Sequence, residues 1–168
     1  DTTAKTQLLE DIQDHYVDIK KLLSDTSLTS RLDKLSIETR LQLMNYLYMS
    51  SLLLDEKTKQ KQILANLSTA KGVIESIPQD AMGLFSRELS ATVKTRYYEV
   101  AYKASKKTNN PLNGNTVMNE FEQFIIETLK SDQLRDTKKQ DLLGQYLIIK
   151  ANYYLSEYKT TGNENLLN

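Results

Sequence analysis

KTRYYEVAYK at 94–103 returns as KANYYLSEYK at 150–159, an offset of 56 residues, with the shared pattern K-x-x-Y-Y-x-x-x-Y-K. Each copy sits late in a long helix-forming stretch. A recurring helical unit is the signature of an array, because one unit cannot bury its apolar face without a neighbour. The echo speaks to architecture and leaves function open.

Working outward, 87–107 places Leu89, Val93, Tyr97, Val100 and Ala104 on one helical face and Tyr98 and Tyr102 on the other. That helix has two apolar faces. The stretch 137–160, opening on the capping-box pattern Thr137-x-x-Gln140 and closing before Gly162, is nearly encircled by apolar residues. Between them, Thr108 to Gly114 is the clearest loop, and Asn115 or Thr116 is expected to cap a helix over 117–131 with a single stripe. Upstream, 3–24 and 56–76 are amphipathic, the latter stopped by Pro78, whereas 37–54 is apolar all round. The connector 79–85 is expected to carry Met82, Leu84 and Phe85 into the core.

Six helices thus alternate between half-buried and wrapped. Stacked hairpins require that order, since one helix of each pair is sandwiched and the other covers the outside. The expected fold is all-α, of stacked antiparallel helical hairpins, with an irregular helical bundle as the alternative. Only 5 glycines and 2 prolines argue against an all-β chain with many tight turns. Residues 1–168 read as one domain, a fragment or mature part of a longer chain, because it opens at Asp1 and closes on what resembles the first turn of another helix.

The segment 151–167, with a small residue and aromatics ahead of Gly162-Asn163 and a following Leu166-Leu167, resembles the first helix and turn of a tetratricopeptide repeat. The resemblance covers the last part of the chain. It implies a superhelix of helical hairpins, and a concave surface lined by the first helix of each pair.

Acidic and basic residues balance at 22 each, which removes the basic excess expected of a nucleic-acid binder. The absence of cysteine excludes disulfides, thiolate metal sites and a cysteine nucleophile. No apolar run approaches the roughly 20 residues of a membrane span. The single histidine, His15, has Asp11 and Asp18 on neighbouring helical positions, but it sits inside an apolar arc and reads as a core imidazole rather than a metal ligand. Asn66-Leu67-Ser68 matches a glycosylation acceptor inside a predicted helix and is discounted. Lys57, Lys59, Lys61, Lys138 and Lys139, and the carboxylates Glu120 and Glu127, read as solvated faces. There is no Gly-x-Ser-x-Gly elbow and no phosphate loop. No catalytic residue, metal or cofactor is expected, and the chain reads as no enzyme.

Tyrosine is the unusual choice: ten, against three phenylalanines and no tryptophan. Its ring is apolar and its tip forms hydrogen bonds, which suits a half-wet groove. Tyr98, Tyr102, Tyr154 and Tyr158 hold equivalent places in the two copies. Either they line a groove for a peptide or a partner helix, or they pack consecutive repeats together. The expected function is a protein–protein interaction or scaffold module whose partner is another protein or peptide. The alternatives are the peptide-sensing domain of a regulator and a helical oligomerisation domain.

Overall fold

A computed structural model describes residues 35–53, 60–106 and 112–162. Among these, five α-helices and one 3-10 turn account for the regular structure, and no strand occurs. The described residues form an all-helical fold, as the periodicity predicts. The helices are α1 (Ile37–Leu53), α2 (Gln60–Glu75), α3 (Leu84–Ser105), α4 (Gly114–Lys130) and α5 (Asp136–Thr161). The helix expected over 3–24, with His15, and the lysines at 57 and 59 lie outside the described residues.

Local chemistry sets the boundaries. The Ser36 hydroxyl accepts from the Thr39 amide at 3.2 Å and opens α1. Pro78, in extended backbone, follows the end of α2. Asn113 caps α4 by accepting from the amides of Asn115 and Thr116, so the cap lies ahead of the two residues expected to supply it. α5 starts at Asp136 with Arg135 as its N-cap and no side-chain cap, so the Thr137–Gln140 pattern does not form the expected box. Gly162 closes α5 as expected, at φ 67°, with its amide donating to the Tyr158 carbonyl at 2.8 Å.

α3 is the hub. It packs against α1, α2, α4 and α5, while α1 also packs on α2 and α4 on α5. This explains its two apolar faces. Its buried residues include Ser86, Ser90, Ala91, Ala101 and Ala104, small side chains that let neighbours approach from both sides. α1 and α3 run parallel: Ser86 at the start of α3 donates to Glu38 at the start of α1, and Lys103 near the end of α3 donates to the Leu52 carbonyl near the end of α1. α3 and α5 are parallel as well, with Glu88 joined to Arg135 at one end and Tyr102 edge-on to Tyr153, centroids 5.4 Å apart, towards the other. α4 runs against both, since the Tyr153 hydroxyl late in α5 donates to Asn115 at the start of α4, and Lys150 donates to Glu122 at 3.0 Å.

Tyr48, Phe121, Leu41, Met44, Val93, Val100 and Leu142 are fully buried along this axis. Burial departs from expectation at three places. Met82 enters the core, but Leu84 and Phe85 are 49% and 63% exposed, because the inward arc of α3 begins at Ser86, about 100° round the helix from Phe85. Tyr46 and Met49 of α1 are exposed, so an apolar circumference does not make that helix buried on every side. α5 buries Leu142, Tyr146, Ile149 and Tyr153 against α3 and α4 and leaves Leu147, Ile148 and Leu155 exposed on its other side.

Candidate functional site

A cleft of about 660 Å³ runs between α2 and α4 over the middle of α3. Its floor is aromatic. Tyr48 of α1 meets Tyr97 at 6.0 Å between centroids, Tyr97 meets Tyr98 edge-on at 5.2 Å, and Tyr98 stacks on Phe121 at 4.8 Å and lies 5.6 Å from Phe124. One wall is Lys71, Ile74 and Glu75 of α2. The other is Asn119, Glu120, Gln123, Phe124 and Glu127 of α4, where spacings of three and four residues align them along one helical stripe.

Charge in the cleft is mixed. The Lys71 ammonium stands 5.7 Å from the centre of the Tyr97 ring, and that of Lys94 stands 6.0 Å from the Phe124 ring. Lys71 also lies 3.9 Å from Glu75. Glu120 and Glu127 form no ion pair with a described residue. Tyr48 is fully buried, and its hydroxyl has no hydrogen-bond partner among the described residues. Burial, with Tyr97 and Glu75 nearby, pushes that phenol well above its usual range. Burial first, then Glu120, Tyr97 and Glu127, pushes Tyr98 up to about 12.

The four tyrosines singled out by the echo do not share one groove. Tyr98 lines the α2–α4 cleft. Tyr102 is buried and lines a second cleft of about 520 Å³, beside Leu52, Lys103, Lys106, Ile149 and Lys159. Tyr154 lines a third, about 340 Å³, with Asn115, Glu122 and Lys150. Tyr158, one turn further along α5, is half-buried. The echo does repeat locally: Tyr153 and Tyr154 meet edge-on at 5.3 Å and 63°, much as Tyr97 and Tyr98 do at 5.2 Å and 70°.

Tyr48, Tyr97 and Phe124 escaped the sequence reading as cleft residues because each falls in an apolar stripe, the ordinary mark of core. Glu88, a buried carboxylate inside an α3 face otherwise made of small residues, also carried no local signal. The other polar candidates resolve simply. Asn66 is buried in α2 and donates to Ser51 Oγ at 2.8 Å, so it is closed to a glycan. Lys138 and Lys139 pair with Asp141 and Asp136 of their own helix.

Among the described residues no group of His, Cys, Asp and Glu side chains is placed to hold a metal ion, and no helix is long and apolar enough to cross a membrane. In comparison with known proteins, no family model, no curated protein and no solved structure matches this chain.

Proposed function

We propose that this chain is a non-enzymatic protein–protein interaction module, a tetratricopeptide-like array that holds a peptide or partner helix against tyrosines. The observation that carries the reading is the open cleft between α2 and α4, floored by Tyr97, Tyr98 and Phe124. Its volume lies in the range of ligand sites, and fixed aromatic rings give large contact area at low entropic cost. The parallel succession of α1, α3 and α5, with α2 and α4 as their hairpin partners, supports the array. Of the tyrosines in the echo, Tyr98 belongs to this surface, while Tyr102 and Tyr154 serve the packing of α3, α4 and α5.

The test is selection of a random dodecapeptide display library on the full chain, followed by affinity measurement on Gln123→Trp. Gln123 is exposed on the cleft wall, so the indole fills the cleft without disturbing the core. Enriched peptides that bind the variant at least about tenfold more weakly support the module, since excluding one anchor from its pocket removes a hot-spot contact. Failure to enrich any sequence, or equal binding to the variant, overturns it.

A second reading, helical assembly, is favoured by the exposed stripe Leu147, Ile148 and Leu155 on α5. It requires concentration-dependent association in sedimentation that Ile148→Glu abolishes.

A further inference from the structure

We infer that the α2–α4 cleft recognises a cationic side chain, an arginine of its peptide partner, an assignment that rests on the interaction-module reading. Three features converge. Aromatic faces attract cations through their ring quadrupole. Two such faces in this cleft already hold ammonium groups, Lys71 over Tyr97 and Lys94 over Phe124. These resident lysines show where positive charge sits well.

The charges around the cleft leave room for another cation. Glu75, Glu120 and Glu127 against Lys71 and Lys94 leave one carboxylate in excess, and the two on α4 form no ion pair with a described residue. Glu120 and Glu127 lie two turns apart on the same stripe, so both face an incoming group along the α4 wall.

The third feature is the Tyr48 hydroxyl, buried beneath the cleft with no hydrogen-bond partner among the described residues. A buried polar atom of this kind is costly unless something satisfies it. A guanidinium presents five donors in a flat fork. It stacks on rings, is more weakly hydrated than an ammonium, and is suited to displace Lys71 or Lys94 from an aromatic face. Arginine rather than lysine is therefore the expected occupant.

The experiment uses the dodecapeptides selected on the full chain. Arginine is expected to be enriched in the selected pool. Replacing that arginine by citrulline, which keeps the shape and removes the charge, is expected to weaken binding about tenfold or more, as for loss of a charge-assisted contact. The same replacement should matter little on the Glu120→Gln/Glu127→Gln variant, whose substitutions are on exposed positions and leave the fold intact. Selected peptides without arginine enrichment, or equal affinity of the arginine and citrulline forms, overturn the inference while the module reading stands. A selection that enriches nothing overturns both.

Discussion

Glu88 and Arg135, 47 residues apart, are locked in a two-pronged pair: Arg135 donates from Nε to Oε1 at 2.8 Å and from Nη2 to Oε2 at 2.5 Å, and its backbone amide reaches Oε1 at 3.3 Å. The Glu88 side chain is 7% exposed and the Arg135 side chain 65%. This pair ties the second turn of α3 to the N-cap of α5. A comparable contact lies one layer earlier, where Ser86 donates to Glu38 across 48 residues. Carboxylates early in α1 and α3 thus each engage the start of the next parallel helix.

Glu88→Gln is expected to lower the melting temperature by a few degrees at neutral pH. The Arg135 hydrogen bonds hold the Glu88 carboxyl below its ordinary value of 4.5. A lowered folded-state value means the stabilisation is complete above that ordinary value and disappears as pH falls through the lower folded-state one. The difference in melting temperature between wild type and variant should therefore shrink on acidification below about 4.5. A difference that stays constant there would assign the effect to packing instead.

Phe121→Ala and Phe85→Ala should differ sharply. Phe121 is fully buried, stacked on Tyr98 and edge-on to Tyr146 at 5.0 Å. Its truncation is expected to cost about 3–5 kcal/mol in urea denaturation, the usual range for a buried phenylalanine. Phe85 is largely exposed, and its truncation should change stability by less than about 0.5 kcal/mol.

That contrast marks where the sequence was legible. Helix positions, the Pro78 stop, the Gly162 cap and the two-faced character of α3 all follow from local pattern. Periodicity says which residues share a face, but not which neighbour covers it. Phe85 and Ile148 therefore read as core and prove exposed. The echo at 56 residues marks equivalent helix positions, whereas spatial neighbours such as Glu88 and Arg135, or Lys103 and Leu52, are 47 to 51 apart. No local rule encodes those pairings, and so Tyr98, Tyr102 and Tyr154 could not be assigned to separate clefts beforehand.

The glycines offer a test of backbone effects. A Cβ at Gly72 or Gly144 meets nothing within 4 Å, and both sit inside helices. Gly72→Ala and Gly144→Ala should each stabilise by about 0.5–1 kcal/mol through reduced freedom of the unfolded chain. Gly162→Ala should destabilise, because φ there is 67°. Chemical denaturation of the three variants reads both signs.

Ultraviolet titration reads the electrostatics of the cleft. Tyr98 is expected to ionise at about 12. Glu120 and Glu127 both disfavour the phenolate, so Glu120→Gln/Glu127→Gln should bring Tyr98 down towards the ordinary value of 10. An unchanged titration would place the two carboxylates too far from the tyrosine to act on it.

Aromatic-resonance NMR of the full chain with a selected peptide tests the central claim most directly. The interaction-module account predicts that saturation shifts the ring signals of Tyr97, Tyr98 and Phe124 and leaves those of Tyr102 and Tyr153 in place. Shifts confined to Tyr102, Tyr153 and Tyr158 would contradict it and move the binding surface to the seam between α3 and α5.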